Sequence, residues 1–140
     1  EWQQGEYIIS TDRSRLQIDV IHDYLSGRSY WAQGRPREVL ERAIENSLSF
    51  GLYTANKQIG FCRVVTDYAL FAWLADVFVL EEYRGRKLGE WLVESALSHP
   101  DVAGLRRWLL ATRDAQDLYR KYGFELIEGS ERYMILQSKQ

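Results

Sequence analysis

Two short stretches of this sequence combine residue types that could do chemistry. The first is Asp76-Val77-Phe78-Val79-Leu80-Glu81-Glu82-Tyr83-Arg84-Gly85-Arg86-Lys87-Leu88-Gly89, an apolar strand that runs through an acidic turn into an Arg- and Gly-rich helix start. The first N–H groups of a helix lack intrahelical acceptors and sit at the positive end of the helix dipole, so this junction can hold a phosphate. Arg84, Arg86 and Lys87 concentrate positive charge there, in a chain whose formal net charge is −2. The same residues also suit a plain glycine turn with solvated cations. Neither of two better-known phosphate loops is present: Gly85 and Gly89 are too close for G-x-x-x-x-G-K-[ST], and no G-x-G-x-x-G occurs.

The second stretch is Asp117-Leu118-Tyr119-Arg120-Lys121-Tyr122-Gly123-Phe124. Ala115, Leu118 and Tyr122 are spaced as a helical stripe that should pack on a sheet, with Tyr119 one step round from it. Its phenol is either a packing group at the rim of the core or a hydrogen-bond donor. Asp76 stands inside an otherwise apolar strand, a costly place for a carboxylate unless it is paired or used. It is read either as a general base whose pKa burial raises or as one half of a salt bridge.

The surrounding elements must position these groups. Tyr7 to Thr11 reads as a strand, and Thr11-Asp12 offers capping oxygens for a helix from Arg15 to about Gly27. Pro36 opens a second helix that carries Val39, Leu40, Ala43 and Ile44 on its buried face, with Glu38, Glu41 and Glu45 opposite. Ser49 to Ala55, Gln58 to Thr66 and Phe71 to Leu80 form an antiparallel meander. The helix that follows places Leu88, Leu92 and Ala96 on one face and ends before Pro100. Arg107 to Ala111 reads as a strand and Asp114 to Tyr122 as a helix closed by Gly123, after which Phe124 to Ile127 and Arg132 to Leu136 complete the sheet.

Both stretches resemble motifs of the GNAT (GCN5-related N-acetyltransferase) superfamily of acyl-CoA-dependent transferases. Its phosphate motif is Q/R-x-x-G-x-G/A; Arg84 matches the first position and Gly89 the last, and Lys87 replaces the middle glycine. Lysine is tolerated there in right-handed helix and strained at positive φ. The run A-x-x-L-Y-x-K-x-G-F, from Ala115 through Leu118, Tyr119, Lys121 and Gly123 to Phe124, is similar to the superfamily segment whose tyrosine approaches the coenzyme sulfur.

The resemblance implies a single α/β domain over 1–140, with a mixed, mostly antiparallel sheet of about seven strands flanked by about four helices. It implies N-acyl transfer from acetyl-CoA to a primary amine of a small molecule or a protein. Phe78, Val79, Arg84, Gly85, Arg86, Lys87, Leu88, Gly89, Ala115, Leu118 and Tyr119 would bind the coenzyme. Tyr119 would serve the leaving thiolate, and Asp76 or a water relay would take the amine proton. Tyr24, Arg28, Tyr30, Trp31 and Trp73 would wall the acceptor site, or simply pack the helical flap. A coenzyme-binding sensor or interaction module without catalysis, and a nucleotide-binding regulator, are the competing readings.

Composition narrows the classes further. A net charge of −2 argues against a general nucleic-acid surface, and no apolar run reaches the roughly 20 residues of a membrane span. Two histidines and one cysteine, Cys62, show no metal-ligand spacing and leave no internal disulfide. No secretory signal is recognisable, so the cytoplasm is the expected compartment. A homodimer is compatible with all of this.

Overall fold

The computed structural model describes residues 1–138. Six strands form one sheet in sequential order: β1 (Trp2–Gln4), β2 (Tyr7–Ser10), β3 (Leu48–Thr54), β4 (Lys57–Thr66), β5 (Phe71–Val79) and β6 (Arg107–Leu109). All neighbours are antiparallel except β5 and β6, which run parallel. Among the described residues four α-helices accompany them: α1 (Ile18–Gly27), α2 (Arg37–Glu45), α3 (Leu88–Ser98) and α4 (Gln116–Arg120). This is the mixed α/β architecture expected, with six strands in place of about seven.

Local chemistry explains most of the boundaries. Gly5, at φ 57°, turns β1 back on β2, and Ala55-Asn56, with φ 47° and 64°, forms the two-residue connection of β3 to β4. Such positive-φ pairs match the twist of a tight hairpin. The strand at Trp2–Gln4 escapes sequence reasoning because three residues, two of them glutamines, show no alternation. Asp12 caps a 3-10 turn at Arg13–Arg15 by accepting a hydrogen bond from the Ser14 amide, so the first α-helix starts at Ile18, three residues later than expected. In α2, Leu40 and Ile44 are buried as expected but Val39 is 51% exposed, because the apolar face is only one residue wide at each turn.

Residues 58–62 of β4 are all buried, whichever face they point to. A strand with no exposed face is covered on both sides, here by α1 and α3, which both pack against β4. Leu25, Leu40, Phe50, Leu52, Phe61, Val64, Leu92 and Val93 form the centre of the core.

Two departures bear on function. The parallel pairing of β5 and β6 covers only Phe71↔Arg107 to Trp73↔Leu109, so the two chains part from Leu74 onward. The expected strands at Phe124 to Ile127 and Arg132 to Leu136 are not in the sheet. A 3-10 turn at Ser130–Arg132, entered through Gly129 at φ 66°, occupies the place of a hairpin and carries the chain away from β6.

Ala55 occupies a left-handed conformation that costs an L-residue roughly 1 kcal/mol. Ala55→Gly should therefore raise the stability by about 0.5 kcal/mol or more, measured as an increase in denaturant midpoint with unchanged slope; no increase means the turn is relaxed.

Candidate active site

The site begins with an irregularity in β5. Phe61 pairs with Phe78 and Arg63 with Ala75, so Cys62 faces two residues, Asp76 and Val77. This is a β-bulge, and Asp76 takes the left-handed conformation, φ 54°, that bulges of this type place at their first position. Aspartate is among the few residues that tolerate it.

The bulge turns the Asp76 carboxylate into a cluster of donors. Arg63 Nε donates to Oδ2 at 2.6 Å, Arg35 Nη1 donates to the same oxygen at 2.9 Å, and Trp31 Nε1 donates to Oδ1 at 2.8 Å. Arg63 also donates to the Ser47 hydroxyl, 3.0 Å away. Burial opposes ionisation of Asp76, but the Arg63 and Arg35 guanidiniums and the Trp31 indole outweigh it and hold the carboxyl below its ordinary pKa. The expected upward shift is thus reversed. The salt-bridge reading of Asp76 fits the geometry, and a carboxylate so stabilised is a poor proton acceptor.

Beyond Trp73 the gap between β5 and the chain after β6 opens into two cavities. One, of about 580 Å³, has Trp73, Arg35, Arg63 and Asp76 along its floor. The other, of about 740 Å³, runs past Phe78 and Val79 to the turn at Arg84 and the start of α3. Tyr30, Trp31, Val77, Ala115 and Tyr119 line both, so the cavities meet beside Tyr119. Arg113 ties this junction together: its amide donates to the Tyr30 hydroxyl at 2.9 Å, and its guanidinium lies 3.8 Å from the Tyr30 ring centre.

Tyr119 comes from α4, packs edge-on against Phe124 and is 8% exposed. Its hydroxyl bonds to no described residue and is not sealed in the core, so its hydrogen is available to a molecule in the cavities. Burial, with smaller contributions from Cys62 and Tyr30, pushes its pKa up to about 12. The phenol is therefore neutral, and a donor, throughout the physiological range.

The helix start behaves as its sequence requires for an anion. No side chain caps α3, which leaves its first-turn amides open toward the second cavity. Gly85 sits at φ 82° with nothing within 4 Å of where a Cβ would be, and a Cβ at Gly89 would only touch Val79 at 3.9 Å. Lys87 lies at φ 61°, the strained alternative for this position, and its side chain lines the cavity. Amides, glycines and lysine together fit a diphosphate.

The other two cations of the turn are employed differently from the expectation. Arg84 lines the cavity, but its Nε donates to the Val79 carbonyl at 3.1 Å and its Nη2 to the Tyr24 hydroxyl at 2.7 Å, binding the turn to β5 and α1. Arg86 turns outward, donates to the Tyr7 hydroxyl and lines none of these cavities. Leu88 lines the cavity from its core position, and the partly buried Ala115 and Leu118 line it too.

The expected acceptor wall divides. Tyr24 and Arg28 border the second cavity, where Tyr24 stacks on Phe78 at 4.1 Å; Trp73 borders the first; Tyr30 and Trp31 border both. Arg35, Arg63 and Arg113 were not singled out by sequence reasoning. Arg63 carried a readable signal, a cation within the apolar strand Gly60-Phe61-Cys62-Arg63-Val64 that pairs with the strand of Asp76. Arg35 and Arg113 lie in loops and carried none.

The parted pair of parallel strands leads along a cavity to an uncapped, glycine-flanked helix start. A model of the acetyltransferase (GNAT) domain matches residues 45–126, and the chain belongs to the GNAT acetyltransferase family. A crystal structure of a GNAT family protein from Xanthomonas campestris pv. campestris, 43% identical, superimposes with a TM-score of 0.93 over 97% of this chain and 96% of that one. A protein of Gibberella zeae, an acetyltransferase by name alone, is 32% identical over 86% of this chain and 79% of its own length. A GNAT family acetyltransferase from Brucella melitensis, crystallised in complex with acetyl-CoA, is 20% identical and shares the fold, with a TM-score of 0.67 over 86% of this chain and 83% of its own.

Because the Asp76 pKa is lowered on folding, its ion pairing contributes stability in full above about pH 4 and loses it as pH falls through the folded value. Asp76→Asn leaves two guanidiniums short of an anion and should cost about 3 kcal/mol at pH 7. Denaturant titrations should show the gap from wild type narrowing as pH drops below about 4; a gap independent of pH would contradict the ion-pair assignment.

Proposed function

We propose that this chain transfers an acetyl group from acetyl-CoA to a primary amine. The observation that carries this reading is the continuity of one cavity from the open amides of α3 to the Tyr119 hydroxyl, where it meets a second cavity. The α3 amides, Gly85 and Lys87 would hold the coenzyme diphosphate, and β5 at Phe78 and Val79 would flank its arm. When bound, the coenzyme supplies an activated acyl group as a thioester.

The residues of this chain then have separable tasks. Tyr119 donates a hydrogen bond to the departing sulfur. A phenol at about 12 is a weaker acid than a thiol at about 8.5, so hydrogen bonding rather than full proton transfer is its contribution. Asp76 holds Arg35, Arg63 and Trp31 in place as a positioning residue, and the amine proton leaves through water. This replaces the reading of Asp76 as base.

The charge of the first cavity bears on the acceptor. Arg35, Arg63 and Arg113 outnumber Asp76 and Asp114 among its lining residues. That balance favours an amine carried beside an acidic group over a polyamine. Glu38, Glu41 and Glu45, exposed on α2, border neither cavity.

Thiol release from acetyl-CoA, screened against amino acids, peptides, amino sugars and polyamines, tests the function. Acetyl-CoA-dependent release with an acidic amine is expected, and release with polyamines alone would reverse the acceptor assignment. Stabilisation by coenzyme A without turnover on any amine would favour a binding module. Tyr119→Phe should lower kcat about 100-fold with coenzyme affinity unchanged. In the wild type no rate loss from phenol ionisation should occur up to pH 10, given a pKa of about 12.

A further inference from the structure

The floor of the first cavity carries a charge that the fold leaves unbalanced. Arg35 and Arg63 both donate to one oxygen of Asp76, Oδ2, at 2.9 and 2.6 Å. All three side chains are largely withdrawn from water, with 2% of Asp76, 15% of Arg63 and 21% of Arg35 exposed. Two guanidiniums against one carboxylate leave one positive charge in a mostly buried place, which is unfavourable until an anion meets it. The other charged groups of the cavity do not cancel it: Arg113 and Asp114 lie 3.8 Å apart, both exposed, and offset each other.

The hydrogen bonds lead to the same place. A guanidinium has five N–H donors. Arg63 uses Nε on Asp76 and Nη1 on the Ser47 hydroxyl, and Arg35 uses Nη1 on Asp76. Among the described residues Arg63 Nη2 and Arg35 Nε and Nη2 donate to no partner, and both side chains line the cavity. Planar forks of this kind suit a carboxylate, and one surplus charge matches its single negative charge better than a phosphate dianion. Apolar surface stands beside these donors. Trp31, whose indole N–H is engaged on Asp76 Oδ1, and Trp73 both line the cavity and are exposed. A volume of about 580 Å³ is that of a small-molecule site.

We propose that Arg35 and Arg63 form a carboxylate subsite and that the acceptor is a free amino acid with an apolar or aromatic side chain. Its carboxylate meets the two guanidiniums, its side chain lies against Trp31 and Trp73, and its amine points toward the junction at Tyr119. Asp76 fixes both forks before the ligand arrives, so little side-chain freedom is lost on binding. The turnover of this acceptor rests on the transferase reading; its binding does not.

The test titrates the full chain by calorimetry, with and without coenzyme A, using phenylalanine, phenylalaninamide, alanine and the aminophosphonic analogue of phenylalanine as probes. Phenylalanine should bind at least about tenfold more tightly than its amide, the difference expected for hydrogen bonds to a charged group. It should also bind more tightly than alanine and than the phosphonic acid. Equal affinity for phenylalanine and its amide, tighter binding of the phosphonic acid or of alanine, or no binding of phenylalanine at millimolar supply overturns the proposal. Arg35→Gln should bring the ratio of phenylalanine to amide affinity close to one while the protein keeps a cooperative unfolding transition, and Arg35→Lys should keep part of the preference. A variant that weakens both ligands equally and keeps their ratio would show a merely structural arginine and overturn the assignment. With acetyl-CoA present, kcat/KM should follow the same order. A carboxylate preference in binding without thiol release supports the subsite and sinks the transferase reading, whereas thiol release indifferent to the carboxylate sinks the subsite and leaves the transferase reading standing.

Discussion

The bulge at Asp76 and Val77, pinned by one buried carboxylate, is the constraint on which the site depends. Without the extra residue, β5 would continue in register with β4 and offer no change of direction where the cavities open. With it, the carboxylate meets guanidiniums from β4 and from the loop before α2, and an indole from the loop after α1. Three separate segments are thereby held to one strand. A buried ion pair adds little net stability over a well-packed apolar substitute. Its value here is geometric, since each partner it fixes lines the wall of a cavity.

The same economy governs the phosphate-type turn. Arg84 directs its donors to the Val79 carbonyl and the Tyr24 hydroxyl, and Tyr24 stacks on Phe78, so the turn, the strand and α1 are tied to one another. The α3 amides stay uncapped, and Lys87 lines the cavity from a left-handed backbone. Strain of this order is sustained where surrounding structure over-determines the backbone. This family uses acetyl-CoA, and the three-residue pairing of β5 with β6 leaves an opening beside β5.

Much of this was legible in the chain itself. The three expected strands from Ser49 to Leu80 and the stop before Pro100 match the meander and the end of α3 to within a residue or two. The Arg84 to Gly89 and Ala115 to Phe124 motifs identified the family, and residues of both line one cavity. Those signals are local, because helix starts and tight turns are set by residues a few positions apart. Arg35 and Arg113 had no such signal, since a loop arginine acquires its role only from what the fold brings beside it. The strands expected at Phe124 to Ile127 and Arg132 to Leu136 do not form in the described residues, because an apolar run reports a face to be buried and not the strand it pairs with.

The sequence by itself determined the order of strands and α-helices from Tyr7 to Arg120, the Arg- and Gly-rich helix start and the phenol at 119, all consequences of short-range steric and hydrogen-bonding preferences. Only the tertiary structure decided that Asp76 is clamped by Arg35, Arg63 and Trp31, that Arg86 faces away from the groove, and that 132–136 lies outside the sheet. The reason is common to all three. A side chain's charge, reach and partner depend on groups distant along the chain, and their desolvation and pairing energies exist only once the fold has brought them together.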